Sequence, residues 1–132
     1  EKIAKEVLEV GNVDFRAIDL YKDKIEKVDL TIGLGLLHRV PDIDRCMGII
    51  GQTSTAAILE FKTLNKEGIL CEDAGGKSKS NEYNGLYKIP TKSYVMKGMK
   101  DAGMKSCMIF EDKDSHLNYR RTIMYFTKEE IE

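Results

Sequence analysis

The sequence predicts an α/β fold with a mostly parallel sheet that ends in an antiparallel pair of strands. Short, almost wholly apolar segments alternate with segments of helical periodicity, and the last two strand segments have no helix between them. Buried strands separated by helices indicate a parallel sheet with right-handed crossovers. Two strands joined by a short polar turn instead pair antiparallel.

Composition sets the broad class of protein. The chain has 132 residues, with 21 Lys and Arg against 22 Asp and Glu, which fits one soluble globular domain. Its longest nearly unbroken apolar stretch, 31–37, is far shorter than the roughly 18 residues of a membrane span, so we expect no membrane partner. The first residue is not Met and no signal peptide is visible, so we expect a piece of a longer, cytoplasmic chain.

The cysteines argue against a metal site. There are three, Cys46, Cys71 and Cys107, and no two of them form a Cys-x-x-Cys pair. Neither a zinc site nor a disulfide framework is therefore predicted. We expect the three thiols to act as small core residues in a reducing compartment.

The first elements are a helix and two strands. Apolar spacing predicts a helix that ends near Gly11, and alternation over 13–18 predicts a half-buried strand with Asp19 at its carboxyl end. The apolar run 28–34 predicts a strand that is buried on both faces of the sheet.

The rest of the chain is predicted to contain two helices and three strands. One helix begins at Pro41-Asp42 and ends at Gly51, with its apolar face formed by Ile43, Cys46, Met47 and Ile50. The next begins at Pro90-Thr91 and ends at Gly103, with its apolar face formed by Val95, Met99 and Ala102. The strands are predicted at 56–64, 107–110 and 122–126.

A long loop is predicted at 65–89, and loops of this length are functional or disordered. We expect it to cover an acceptor site, with Tyr83 and Tyr87 near that site. Its Gly75-Gly76-Lys77-Ser78 segment lacks the first glycine and the following helix of a phosphate-binding loop. The stretch 77–105 carries seven Lys against two acids, which is a solvated face or a docking surface for an anionic substrate such as RNA.

Ligands of open α/β sheets bind beyond the carboxyl ends of the parallel strands. Asp19-Leu20, Gly33 to Arg39 and Glu60 to Leu64 are predicted to lie there. The glycines either let a ligand approach the backbone or ease a turn. Asp19 either accepts a hydrogen bond from an amine or caps the next turn.

Taken together, these segments resemble the class I S-adenosylmethionine-dependent methyltransferases. The segments that carry the resemblance are VDLTIGLGLLHRVPDIDRCMGII, AAILEF and YNGLYKIPTKSYVMKGMKDAGMK, together with an acidic residue that closes an earlier strand. They are most similar to the tRNA wobble-uridine carboxymethyltransferase branch, through Gly35-Leu36-Leu37-His38-Arg39, Tyr87-Lys88-Ile89-Pro90-Thr91 and Arg120-Arg121-Thr122. The resemblance implies a Rossmann-like methyltransferase sheet, in one partial domain over 1–132, whose N-terminal part is absent.

The resemblance also implies a cofactor site for S-adenosylmethionine. In that site Asp19 would meet the adenine amine and Leu20 would pack on the ring. Leu34 and Gly35 would face the methionine arm of the cofactor. Because the sulfonium already activates the methyl group, the main task of the protein is positioning.

Acceptor residues are implied as well. His38 is the candidate catalytic residue, which would orient or deprotonate an acceptor hydroxyl. Tyr87, Arg120 and Arg121 are candidate substrate-binding residues, and the guanidinium groups suit a carboxylate or phosphate. The acceptor is a small molecule or a tRNA.

The sequence departs from the family in two places. The glycine-rich first loop and the acid that holds the ribose have no counterpart here, so we expect the chain to bind S-adenosylmethionine weakly or not at all. Leu37 stands where the branch usually has a Tyr, which favours ordinary methyl transfer over carboxymethyl transfer. In the family's strand order, the missing first strand would leave 28–34 at an edge, so a homo-oligomer is expected.

Two other functions fit parts of the sequence. The first is a non-catalytic binding or scaffold module that keeps the fold without the cofactor loop. The second is another nucleotide-binding α/β enzyme, such as a dehydrogenase, although the closing antiparallel pair argues against it.

Overall fold

The computed structural model describes residues 11–73, 88–111 and 120–130. Four strands form the main sheet in the order β1-β2-β6-β5, where β1 and β2 run parallel and the other two pairings are antiparallel. A separate antiparallel pair joins β3 to β4. The bounds are β1 Val28–Leu34, α1 Ile43–Thr53, β2 Ser54–Thr63, β3 Cys71–Asp73, β4 Lys88–Pro90, α2 Lys92–Asp101, β5 Ser106–Glu111 and β6 Arg120–Thr127.

Helix α1 begins at the predicted cap. The Asp42 carboxylate accepts a hydrogen bond from the backbone N–H of Arg45 at 3.0 Å, which satisfies one of the exposed donors of the first turn. All four predicted face residues are buried. The predicted stop at Gly51 is wrong, because the helix continues to Thr53 and Gly51 instead allows contact with Ala102 of the α2 terminus.

Helix α2 begins and ends as predicted. The Thr91 hydroxyl accepts from the Tyr94 N–H at 3.2 Å, and Val95 and Met99 are fully buried. Gly103 has a φ of +106°, and the Met104 N–H donates to the Met99 carbonyl at 3.0 Å. A left-handed glycine with this hydrogen bond is a common way to end a helix.

The core lies on one face of the sheet. Both helices cover that face, and its strand residues are Ala57, Leu59, Phe61, Met124 and Phe126, each at most 1% exposed. On the opposite face, β1 leaves Leu30 44%, Ile32 59% and Leu34 68% exposed. The predicted burial of this strand on both faces is therefore wrong, because no described helix covers the second face. We call this second face the open face.

The predicted strand at 13–18 is not formed. The segment is extended but pairs with no described strand, and Val13, Phe15 and Ile18 are exposed. Its alternating pattern is that of a strand, but a strand also needs a neighbour to bond its backbone. The predicted helix before Gly11 lies outside the described residues.

Part of the predicted loop at 65–89 is ordered into strands. β3 and β4 pair with each other. Just after β4, the Thr91 N–H donates to the Leu70 carbonyl at 2.9 Å, and the Thr91 hydroxyl donates to the Gly68 carbonyl at 2.8 Å. Ile69 and Leu70 are 57% and 40% exposed, so they do not pack as expected. Tyr83, Tyr87 and the Gly75 to Ser78 segment lie outside the described residues.

Of the three cysteines predicted to be core residues, Cys46 is buried in the core, whereas Cys71 and Cys107 are only partly buried and pack against it. Burial raises the pKa of the Cys46 thiol to about 12, with a smaller contribution from the Asp42 carboxylate. No helix in the described ranges is long and apolar enough to cross a membrane.

Candidate active site

The chain turns sharply where β1 ends. Gly35 has a φ of +66°, a conformation that favours glycine, and its N–H donates to the Glu60 carbonyl at 2.8 Å. A short 3₁₀ turn over 37–39 follows. In this turn Leu37 is fully buried, so it packs in the core and offers no group to a ligand.

His38 lies in the same turn and is only 8% exposed. Its Nδ1 accepts a hydrogen bond from the backbone N–H of Lys62 at 3.1 Å. Burial, together with the positive charges of Arg121 and Arg39, lowers the pKa of His38 to about 4. The imidazole is therefore neutral near pH 7, with its proton on Nε2.

Glu60 and Arg121 form an ion pair beside this histidine. Arg121 Nη1 lies 2.5 Å from Glu60 Oε1, and the Glu60 side chain is 15% exposed while that of Arg121 is 52% exposed. A Cβ placed on Gly35 would lie 3.9 Å from Glu60 Oε2 and 4.0 Å from His38 Cε1. The structure therefore brings together Gly35, His38 and Arg121, all predicted from sequence.

Glu60 is the residue that sequence reasoning missed. The sequence places it in a segment at the carboxyl end of its strand but assigns it no role. The available signal was one acid within the apolar run AAILEF. An acid in such a strand needs a cationic or hydrogen-bonding partner.

Asp19 sits in a tight turn before β1. Its carboxylate accepts from the Tyr21 N–H at 2.9 Å, and its carbonyl accepts from the Asp23 N–H at 2.9 Å. The Tyr21 hydroxyl donates to the Asp42 carbonyl at 2.9 Å, and Arg45 Nη2 donates to the Tyr21 carbonyl at 2.7 Å. These bonds fix the turn against the start of α1, and Leu20 packs on the core from it.

The remaining predicted residues are placed less closely together. Leu34 is exposed on the open face at the carboxyl end of β1. Arg120 is the first residue of β6, next to Arg121. Gly33 faces the core, where an added Cβ would meet Leu59 Cδ2 at 3.1 Å, so this glycine serves packing.

A cavity of about 520 Å³ opens at the carboxyl end of β2 and the start of α2. Thr63 and Thr122 line it, and their buried hydroxyls are hydrogen-bonded at 2.5 Å. Lys66, Lys92 and the acidic Glu67 line it as well. Polar and charged groups at this position suit a polar ligand that enters from the carboxyl edge of the sheet.

The residues present fit part of a nucleoside-like cofactor. The backbone at Gly35 is open, since among the described residues only Glu60 and His38 side-chain atoms lie within 4.0 Å of the position of a Cβ. Leu34 offers an exposed apolar surface beside it, and the Asp19 side chain is 46% exposed. An apolar surface, an open backbone and an accessible carboxylate are the groups that a base and its side arm require.

Comparisons with known proteins support the fold. No protein-family model and no curated protein sequence matches the chain. Solved structures do match: the N-terminal domain of EvdMO1 with SAH and D-fucose (TM-score 0.70) and the same domain with SAH bound (TM-score 0.70), each 14% identical over 96% of this chain. Full EvdMO1 matches with a TM-score of 0.67, also at 14% identity over 96% of this chain.

The chain spans 59% and 58% of the two N-terminal domain structures and 28% of full EvdMO1. At this identity the likeness shows the fold alone, which is the mixed α/β, Rossmann-like fold of methyltransferases. It gives no support to the tRNA wobble-uridine branch.

Proposed function

We propose that this chain is part of an S-adenosylmethionine-dependent methyltransferase domain. The observation that carries the proposal is the strand order β1-β2-β6-β5, with candidate residues gathered at the carboxyl edge of β1 and β2. Neighbours with SAH bound share this fold, and SAH is what remains of S-adenosylmethionine after methyl transfer. The closing antiparallel pair also argues against a dehydrogenase.

The cofactor side of the site is assigned to Asp19, Leu20, Leu34 and Gly35. When bound, S-adenosylmethionine supplies a methyl group that is already activated by the positive sulfur. The open backbone at Gly35 and the exposed Leu34 would line its methionine arm. Asp19 would accept a hydrogen bond from the adenine amine, since the Asp19 side chain is 46% exposed in its turn.

The acceptor side is assigned to His38 and Arg121. Because His38 Nδ1 already accepts from Lys62, its lone pair is engaged and its Nε2–H is the group available to an acceptor. Hydrogen-bond donation that orients the acceptor is therefore favoured over deprotonation. Arg121, held by Glu60, can bind a carboxylate or phosphate of the acceptor.

The acceptor class is a small molecule or a tRNA, and in either case an anionic group would meet Arg121. Arg120 and Tyr87 are proposed to support the same surface, with the segment from 65 to 89 as its cover. A reducing, cytoplasmic setting is proposed, because Cys46 is a core thiol and Cys71 and Cys107 pack against the core. Ordinary methyl transfer is preferred, because buried Leu37 offers no hydroxyl to a carboxylated cofactor.

A panel of ligands tests the proposal. The 132-residue chain is heated with millimolar S-adenosylhomocysteine, S-adenosylmethionine or NAD, and the melting temperature is measured. A rise with the two adenosyl-sulfur compounds and none with NAD is expected. A rise with NAD alone would contradict the proposal.

A non-catalytic module that keeps this fold is the second candidate. It is favoured by the Asp19 carboxylate, which already caps its own turn. No response to any member of the panel would favour this second candidate.

A further inference from the structure

A groove lies between the C-terminal half of helix α2 and the start of strand β5, on the helix-covered side of the sheet. It is a cavity of about 490 Å³, which is the size of many sites that hold a small molecule. We call it the α2–β5 groove. Its lining combines apolar side chains from α2, β5 and β6 with lysines.

The apolar part of the lining is deep and rich in sulfur. Met104 and Phe126 are 3% and 1% exposed, and Cys107 is half-buried. Met96 of α2 lines the same groove and is 41% exposed. Methionine side chains are flexible and polarizable, so they adapt their shape to an apolar ligand. The groove therefore offers apolar surface that a ligand chain could remove from water.

Among the described residues, every charged side chain that lines the groove is a lysine. They are Lys97, Lys100 and Lys105, and all three are exposed. Lys97 Nζ lies 2.7 Å from the Asp101 carboxylate, whereas Lys100 and Lys105 form no ion pair with any described residue. Burial raises the pKa of the Cys107 thiol, so this group is uncharged near pH 7. The charge of the lining is therefore positive.

The lysines are not needed to close helix α2. Lysines near a helix C-terminus often bond its last carbonyls. Here the carbonyls of Gly98, Met99 and Lys100 each accept from a backbone N–H of residues 102–104 at 3.0 Å. The ammonium groups of Lys100 and Lys105 are therefore left to interact with a ligand.

We propose that the α2–β5 groove binds a free amphipathic anion that has an apolar chain and one acidic head, which is the chemistry of a fatty acid carboxylate. The chain would lie on Met104 and Phe126, and the head would lie between Lys100 and Lys105. Charge complementarity selects an anion as the occupant. A concave groove encloses a single molecule, whereas a lipid surface is bound by apolar groups that protrude from the protein.

The groove is separate from the candidate active site. It lies at the start of β5, where Ser106 and Ala56 both pair with Thr127. Glu60 is four residues beyond Ala56 along β2, roughly 13 Å away, and its side chain is on the open face. The inference therefore does not rest on the proposed methyltransferase function, and either can fail without the other.

Three small ligands test the site. The 132-residue chain is titrated with octanoate, hexanoate and octanol at millimolar concentrations, and the methyl signals of Met96 and Met104 are followed by carbon–proton NMR. Octanoate should bind roughly tenfold more tightly than hexanoate, because two further methylene groups are buried. It should also bind more tightly than octanol, which has the same chain and no charge.

Matched variants locate the head and the chain. The double variant Lys100→Gln/Lys105→Gln should weaken octanoate binding roughly fivefold and leave octanol binding unchanged, whereas Lys24→Gln, at an exposed lysine elsewhere, should change neither. Met96→Ser should weaken the binding of both ligands. Its control is Met108→Ser, since Met108 is 45% exposed but lies on the open face.

Four results would overturn the proposal. The first is octanol that binds as tightly as octanoate, which would indicate apolar contact alone. The second is octanoate binding that the double lysine variant leaves unchanged, and the third is binding that Met108→Ser weakens as much as Met96→Ser does. The fourth is binding to phosphatidylglycerol vesicles without binding of free octanoate, which would indicate a lipid surface instead.

Discussion

Arg121 of β6 binds Glu60 of β2 across the open face, with 2.5 Å between Nη1 and Oε1. Arg121 lies directly opposite Lys62 in the strand register, and Glu60 is the next residue of β2 on the same face. Two cations that face each other across a sheet are destabilising. Glu60 therefore offsets this repulsion and fixes the guanidinium beside His38.

Removal of either partner should lower the free energy of unfolding. Glu60 is 15% exposed in its side chain, so Arg121→Gln leaves a largely buried carboxylate without its cation, at a cost of about 1–3 kcal/mol. Urea unfolding of Arg121→Gln, Glu60→Gln and the double variant measures the coupling. If the loss in the double variant equals the sum of the losses in the two single variants, Glu60 and Arg121 do not act as a unit.

His38 predicts a dependence of stability on pH. Its pKa is about 4 in the folded chain, below the ordinary 6.5, so the unfolded chain binds more protons between these values. The contribution of His38 to the free energy of unfolding should be complete above pH 6.5. It should be lost as the pH drops towards 4, by up to about 3 kcal/mol.

The matched control for this effect is His38→Asn, whose amide oxygen can still accept from the Lys62 N–H and does not titrate. Urea unfolding at pH 7.5 and 4.5 should show the extra loss in the wild type and not in the variant. A proton NMR titration of His38 with a midpoint near 6.5 would contradict the assignment. Arg121→Gln should raise the midpoint, because Arg121 helps to lower it.

Two glycines of α1 should respond in opposite ways to alanine. At Gly51 a Cβ would lie 2.6 Å from the backbone carbonyl oxygen of Ala102, which cannot move freely, whereas at Gly48 no atom of a described residue lies within 4 Å. Gly48→Ala should stabilise by roughly 0.5–1 kcal/mol through helix propensity, and Gly51→Ala should destabilise by roughly 1–3 kcal/mol through overpacking. Thermal unfolding of the two variants checks the signs, and a stabilised Gly51→Ala would refute the helix contact.

The Asp19 turn depends on Tyr21. Tyr21→Phe removes the hydroxyl that donates to the Asp42 carbonyl, while the ring can still stack beneath Arg45, whose Cζ lies 5.1 Å from the ring centre. Hydrogen exchange should become faster at residues 21–23 and stay unchanged in α2. Unchanged exchange at the turn would show that Arg45 alone holds it.

Much of this fold is predictable from the sequence because its elements follow local rules. The cap at Asp42, the face of α1 and the closing Gly103 are each determined by neighbouring residues. The strand at 13–18 failed because pairing requires a partner, which a local pattern does not contain. Glu60 was missed for the same reason, since its partner Arg121 lies 61 residues away.

The most direct test of the proposed function maps S-adenosylhomocysteine binding on the 132-residue chain by two-dimensional NMR. Without a glycine-rich loop or its following acid in the sequence, binding should be weak, with a dissociation constant on the order of 1 mM, since each missing charge-assisted bond is worth about 1.5–3 kcal/mol. The amides of Leu20, Leu34 and Gly35 should shift together, with those of the β5 edge unchanged. Shifts confined to other surfaces, or micromolar affinity, would contradict the account.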